Sequence, residues 1–144
     1  RIDKNLIKQR KHSNSMCGSN WDSIKKDIDA MRIELVKDLK IVPTDYEKKL
    51  HIAFVEQSTS ILNQYNFKQV LGWVNRIVKA NKQEKNYNEK HFNEQLYLRL
   101  IRLIKMRKRK SILNLYRLKK SAKLYDKDIS FRQLLYIYRS TTYA

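Results

Sequence analysis

The chain has almost none of the residues that sheet proteins use to turn: two glycines, Gly18 and Gly72, and one proline, Pro43, in 144 residues. A protein made of strands needs tight turns, and these usually require a glycine at positive φ or a proline with its fixed φ. Apolar residues make up 42% of the sequence, which is enough for one small core. We therefore expect an all-α fold in a single domain.

The first part of the chain predicts a pair of antiparallel helices. Asn20 is expected to cap the first helix, and Pro43 to end it because proline has no amide hydrogen. Thr44 with Glu47 forms a capping box for a second helix, which we expect to reach about Asn63. The residues expected to be buried on the first helix recur at spacings of three and four: Trp21, Ile24, Ile28, Met31, Leu35 and Leu39.

A second capping box, Asn66 with Gln69, predicts a third helix. Gly72 lies inside it, where glycine costs about 1 kcal/mol relative to alanine. We expect a close helix crossing at this glycine as the reason for its presence. Residues 81–90 have no periodicity and are expected to form a loop.

The most unusual stretch is residues 96–123, predicted as one long helix. It contains no Asp or Glu and eleven Lys or Arg. At 100° per residue its apolar side chains form one stripe and its cations cover the opposite side. The predicted apolar stripe is Tyr97, Leu100, Ile101, Ile104, Ile112, Leu115, Leu118 and Ala122. Two cations, Lys108 and Lys119, fall on the apolar side of this wheel.

The domain is expected to be a single bundle of about five helices over residues 20–144, preceded by a mobile basic arm, residues 1–19. Ser130 with Gln133 forms a third capping box, which opens a short final helix. The net charge is +18, and its distribution is uneven. Residues 57–144 carry +15, whereas residues 22–56 carry −1. Such a gradient indicates a polyanionic partner: nucleic acid, an acidic protein segment or an anionic membrane surface.

Nucleic acid is the partner that this pattern favours, because a row of cations neutralises phosphates. A membrane surface is disfavoured, since the basic helix offers no Trp or Phe to insert. Tyr116 and Tyr125 lie near the cations, where base stacking is one role and half-buried packing the commoner one. The predicted nucleic-acid-binding residues are Arg99, Arg102, Lys105, Arg107, Arg109, Lys110, Arg117, Lys120 and Lys123.

Signatures of enzymes are missing from the sequence. Glycines at positions 18 and 72 only are incompatible with a glycine-rich phosphate loop. The three histidines, His12, His51 and His91, have no metal-ligand spacing, and His51 is interpreted as a structural histidine. We expect no catalytic residue, no metal and no cofactor. The single cysteine, Cys17, fits a reducing compartment, nuclear or cytoplasmic, with a mitochondrial location as the alternative.

The first helix pair contains Arg32-x-Glu34, then Leu39, then Val42-Pro43-x-Asp45-Tyr46. This resembles the opening helices of the GINS replication factors, and the segment 107–115 is similar to the basic helix of that family. The resemblance covers roughly residues 22–139, although the small β-rich domain of that family has no counterpart here. It implies a non-catalytic subunit that packs with sister subunits at the replication fork. The residues then expected to contact proteins are Trp21, Arg32, Glu34, Asp45 and Tyr46.

Two other resemblances remain open. Residues 41–46 are similar to the helix start of PHIST domains, which implies a helical module that binds an acidic protein segment. The charge and the basic arm also resemble ribosomal or mitoribosomal helical proteins, which implies a structural RNA-binding role. The hypothesis from sequence is a non-enzymatic helical subunit of a nucleic-acid machine, bound to phosphates through residues 96–123 and to proteins through the first helix pair.

Overall fold

The computed structural model describes residues 20–106, 112–127 and 130–139. The predicted arm, residues 1–19, lies outside these ranges. Within them the chain forms seven α-helices, one 3-10 turn and no strand, which confirms the all-α fold. The helices are α1 (Trp21–Asp38), α2 (Asp45–Glu56), α3 (Thr59–Leu62), α4 (Phe67–Glu84), α5 (Glu89–Met106), α6 (Ile112–Ser121) and α7 (Phe131–Arg139), and the 3-10 turn (Ala122–Tyr125) follows α6.

Helix α4 is the centre of the bundle. It packs against α2, α5, α6 and the 3-10 turn, whereas α1 packs on α2, and α7 on α6. Its amphipathic pattern explains this position, since buried side chains occupy about half of its circumference. The buried residues of α4 are Phe67, Val70, Leu71, Trp73, Val74, Ile77, Val78, Ala80 and Asn81.

All three predicted capping boxes form. Thr44 Oγ1 accepts from the Glu47 amide, and Glu47 Oε2 accepts from the Thr44 amide over 2.9 Å. Asn66 with Gln69 and Ser130 with Gln133 make the same reciprocal pair of bonds at the starts of α4 and α7. Asn20 differs, because its backbone carbonyl accepts from Ile24 at the start of α1 while its side chain makes no capping bond.

The predicted single helix over residues 96–123 is wrong, because α5 and α6 are two helices that lie side by side. Asn93 Nδ2 donates to Asp126 Oδ2 over 2.9 Å, and Lys127 Nζ lies 3.0 Å from Glu94 Oε1. In a continuous helix residues 93 and 126 would be about 50 Å apart. The chain therefore reverses between Met106 and Ile112, and the two helices form a hairpin, here called the α5–α6 hairpin.

Two other boundaries differ from the prediction. The second helix ends at Glu56 rather than Asn63, because Gln57 takes a left-handed conformation with φ of 55°. The predicted loop over residues 81–90 is shorter, since α4 continues to Glu84 and α5 begins at Glu89. Buried Asn81 fixes this connection: its Oδ1 accepts from the Tyr87 amide over 2.9 Å, and its Nδ2 donates to the Tyr87 carbonyl over 3.2 Å.

Helix α1 buries only part of the predicted face. Of the predicted residues Leu39 is buried and Trp21, Met31 and Leu35 are exposed, whereas Ile33 and Val36 are buried although they were not predicted to be. Ile24 and Ile28 are half-buried. Both sets have helical spacing, so only the position of α2 decides which one enters the core.

Gly72 does not mark a close helix crossing. It is exposed on α4, and a Cβ atom at this position would have no heavy atom within 4 Å. The expected steric reason for a glycine is therefore wrong within the described structure.

Candidate nucleic-acid interface

The α5–α6 hairpin divides the predicted basic face between two helices. Apart from Ile112, which is 65% exposed, every residue of the predicted apolar stripe is buried. The buried faces of both helices therefore agree with the predicted apolar stripe. The cations lie on two separate outer faces, one on each helix. Arg107, Arg109 and Lys110 lie outside the described residues.

The outer face of α6 and the 3-10 turn carries an aromatic ring among three lysines. Tyr116 is 58% exposed, and Lys119, Lys120 and Lys123 follow it at helical spacings of three, four and seven residues. Residues at these spacings lie on one side of a helix. We call these four residues the Tyr116 surface.

No acidic side chain in the described ranges lies within ion-pair distance of the three lysines of the Tyr116 surface. Lys119 had been placed on the apolar side of the wheel, and it is exposed. On the wheel Lys119 lies at the edge of the apolar stripe, one turn after Leu115, and this edge faces outward in α6, as the exposed Ile112 also shows. Counting the spacing from Tyr116 alone would have found Lys119.

The cations of α5 differ in exposure. Arg102 is exposed and Lys105 is half-buried. Arg99 points inward, and its Nη1 donates to the Val55 carbonyl over 2.6 Å. Since Val55 lies in the last turn of α2, Arg99 satisfies a carbonyl at the negative end of that helix. Arg99 is thus a structural contact in this arrangement.

Arg117 is half-buried on α6, and its Nη1 lies 3.5 Å from Asn114 Oδ1 one turn earlier. Of the predicted nucleic-acid-binding residues, the structure therefore places Lys120 and Lys123 together on the exposed face of α6. Arg102 and Lys105 lie near the end of α5 that precedes the reversal of the chain.

Tyr125 has no surface to offer a base. It is 1% exposed, its ring packs against Tyr97 at 5.4 Å, and its hydroxyl donates to Asn75 Oδ1 over 2.6 Å. Asn75 Nδ2 lies 3.4 Å from Ser121 Oγ, so a polar network joins α4 to the end of α6. Burial raises the pKa of Tyr97 to about 12, and both phenols stay neutral at physiological pH.

The residues predicted to contact proteins are spread over α1 and α2. Trp21 and Tyr46 are 55% and 47% exposed, and the Tyr46 ring meets Tyr65 edge-on at 5.2 Å. Glu34 pairs with Lys37 on the surface of α1. The remaining pairs are Asp45 with Lys48 at 2.8 Å, and Arg32 with Asp29 at 2.8 Å and Glu56 at 2.9 Å.

His51 occupies the structural position expected from the sequence. Its Nδ1 accepts from Trp73 Nε1 over 3.3 Å, and burial lowers the pKa of His51 to about 4, with the nearby Arg32 charge acting in the same direction. No group of three or more metal-ligating side chains occurs among the described residues.

The sequence did not identify the exposed apolar residues of α1 as a surface. Met31 is 58% exposed and Leu35 47% exposed, next to the half-buried Ile24 and Ile28. Their spacing indicated burial, and no local signal distinguishes a stripe that enters the core from one that faces outward.

No helix in the described ranges has the length and apolar character that a membrane span requires. No protein-family model, curated protein or solved structure matches this chain.

Proposed function

We propose that this protein is a non-enzymatic basic subunit of a nucleic-acid machine, and that the Tyr116 surface binds the nucleic acid. The observation that carries the proposal is the exposed Tyr116 beside Lys119, Lys120 and Lys123, with no acidic side chain of the described residues within ion-pair distance of these lysines.

The chemistry of this surface suits single strands. Three lysines within about 6 Å of helix length can reach neighbouring phosphates. An exposed tyrosine ring between them can stack on an unpaired base, and such stacking contributes roughly 1–3 kcal/mol per base. In a duplex the bases are already stacked on each other, so the ring would have no equivalent role.

The charges elsewhere on the molecule support reading this face as a binding surface. On α1 and α2 several cations lie beside carboxylates, as in the pairs of Lys37 with Glu34 and Lys48 with Asp45, whereas Lys26 has no such partner in the described ranges. The outer face of α6 lacks such pairs within the described ranges. Lysines close together repel one another unless an anion is present, and a phosphate chain would relieve that repulsion.

Sister subunits are proposed to bind through α1. Trp21 and Met31 expose large apolar side chains on this helix, away from the Tyr116 surface in sequence. A replication scaffold of the GINS kind and a ribosomal or mitoribosomal RNA-binding protein both need this division between a basic face and a protein-binding face. Of these two, we propose the replication scaffold, with the ribosomal or mitoribosomal RNA-binding role as the alternative.

The test compares binding of fluorescent 20-nucleotide single strands, DNA and RNA, by anisotropy across a salt series. Changing Lys119, Lys120 and Lys123 together to Gln should weaken binding and reduce the slope of log affinity against log salt by about 2, since each phosphate contact on a single strand contributes about 0.7. Tyr116→Leu should weaken single-strand binding roughly tenfold and leave the salt slope unchanged.

A matched control removes the same three charges elsewhere, by changing Lys26, Lys68 and Lys79 to Gln. These lysines are exposed on α1 and α4 and have no acidic partner in the described ranges. Equal losses in both triple variants would mean that net charge alone attracts the strand, and would overturn the proposed surface. Tight binding of an acidic peptide, with strands bound equally by wild type and variant, would favour the acidic-protein alternative.

A further inference from the structure

A cavity of about 330 Å³ opens on the opposite side of α5 from its contact with α6 and the 3-10 turn, between α1, α2 and α5. Its walls are almost entirely apolar, with Leu35 from α1, Leu39 directly after α1, Phe54 from α2, and Phe92 and Leu96 from α5. The volume is within the range of small-molecule sites, which begins at roughly 300 Å³. A lining of this kind accepts a hydrocarbon.

Three positively charged side chains lie close together at the edge of this cavity, next to the end of α2. Arg32 and Arg99 are part of its wall, and both are half-buried. Arg32 is held by Asp29 and Glu56, and Lys25 also pairs with Glu56. Three cations and two carboxylates leave one positive charge in this cluster.

Arg99 is the cation of the cluster without a carboxylate among the described residues. Its Nη1 donates to the neutral Val55 carbonyl, which is itself part of the cavity wall. A guanidinium has five N–H donors, so most of them remain for another acceptor. Charge–charge attraction is strong in such an apolar setting, and a single anion would complete the site.

We propose that this cavity binds a long-chain fatty carboxylate, with the acyl chain among Leu35, Phe54, Phe92 and Leu96 and the carboxylate on Arg99. The chemistry follows from the two parts of the site: a hydrocarbon lining and one uncompensated cation at its edge. A fatty acid is a monoanion, which matches the single excess charge. His51 in the wall is neutral at pH 7 and adds no charge.

This site is separate from the Tyr116 surface, and it goes beyond the proposed function. The cavity is formed by α1, α2, α4 and α5, whereas the Tyr116 surface lies on α6 and the 3-10 turn. Binding of a fatty acid and binding of a strand can therefore be measured independently, and either proposal can fail alone.

The experiment titrates the full chain with a fluorescent fatty acid below its aggregation concentration and competes it with palmitate and with hexadecanol. We expect saturable 1:1 binding, displacement by palmitate, and displacement by the neutral alcohol at least about tenfold weaker, because the alcohol lacks the charge that Arg99 would hold. Arg99→Gln should weaken binding at least about tenfold, whereas Arg102→Gln, exposed one turn along α5, should not change it.

A second variant tests the contact of the cavity with the acyl chain of the fatty acid, and not the contact with its carboxylate. Leu96→Trp adds bulk to the cavity wall and should abolish binding of both palmitate and hexadecanol, with folding of each variant checked by its circular dichroism melting curve. Failure to saturate at 1:1, equal displacement by palmitate and hexadecanol, or unchanged binding in Arg99→Gln would each overturn the proposal. So would tight binding of an acidic amphipathic helix in the absence of palmitate binding.

Discussion

Cations around the end of α2 and cations on the outer face of α6 differ in what lies next to them. Around the end of α2, Lys25 and Arg32 are held by Glu56, and Arg99 by the Val55 carbonyl. On the outer face of α6 and the 3-10 turn, the lysines of the Tyr116 surface have no acidic side chain within ion-pair distance in the described ranges. Arg99 and Lys120 belong to the same acid-free stretch of sequence. The difference between them is tertiary: Arg99 lies opposite the end of α2 and donates a hydrogen bond to it, whereas Lys120 faces outward without such a contact in the described ranges.

The largest expected effect is the dependence of the free energy of unfolding on pH, which we attribute to His51 on α2. An unfolded histidine has a pKa of about 6.5, and in the fold burial lowers the pKa of His51 to about 4. Between these pH values the unfolded chain binds more protons, so stability falls as the pH is lowered through this window. We expect a loss of about 2 kcal/mol between pH 7 and pH 5, measured by urea unfolding.

His51→Gln should remove most of this dependence on pH between 7 and 5. His91, exposed at the start of α5, provides the matched control, and His91→Gln should leave the dependence in place. An unchanged pH profile in His51→Gln would contradict the buried, neutral state of His51.

The second effect compares Arg99 with Lys120 directly. Arg99→Gln leaves the Val55 carbonyl without its charged donor, and we expect a loss of about 1–2 kcal/mol in the free energy of unfolding. Lys120→Gln removes an exposed charge without an ion-pair partner in the described ranges, and the change should stay within about 0.5 kcal/mol. Urea unfolding of both variants at pH 7 measures the difference. Equal losses would show that the two cations do not differ in structural role.

The smallest expected change in stability comes from a substitution in α4, the helix that packs against both α2 and α6. Gly72→Ala adds a methyl group where nothing lies within 4 Å, in the interior of a helix. Alanine is favoured over glycine in helices by about 1 kcal/mol, so thermal and urea unfolding should show stabilisation of up to that amount. A destabilised variant would mean that a side chain at residue 72 meets a neighbour that this structure does not show. Lys79→Ala, exposed on the same helix, controls for surface changes that leave backbone freedom nearly unaltered.

The sequence predicted those features that local chemistry decides. The capping boxes at Thr44, Asn66 and Ser130 depend on residues three positions apart, and all three form. The inner faces of α5 and α6 also follow from periodicity, because each helix keeps its own register. The all-α fold followed from the shortage of glycine and proline.

The break after α2 was missed because an ordinary residue makes it, whereas the end of the first helix was predicted from Pro43 and the connection after the third from the lack of periodicity over residues 81–90. Lys40, Gln57, Lys85 and Asp126 have positive φ values between 54° and 57°, and none is a glycine. A left-handed conformation costs such residues about 1–2 kcal/mol each, and packing of the flanking helices must supply it. No local pattern reveals that contribution, so the break after α2 could not be predicted.

The candidate sites depended on tertiary structure still more strongly. Met31 and Leu35 share their spacing with buried helix residues, yet they face outward because α2 covers the side with Ile33 and Val36. Likewise the inward direction of Arg99 depends on the end of α2 lying opposite. Interactions between residues far apart in sequence determine both outcomes.

The α5–α6 hairpin has a consequence for the order in which the protein folds. Met106 and Ile112, the described ends of its two helices, are six positions apart in sequence, so bringing the two helices together costs little chain entropy. The contact between α4 and α2 instead joins segments separated by α3 and its flanking turns, and the Tyr125–Asn75 bond joins residues 50 positions apart. Contacts of small sequence separation form fastest in small helical domains. Since residues 85–88 likewise join α4 to α5 by a short connection, we expect α4, α5 and α6 to be an early folding unit, onto which α2 docks later.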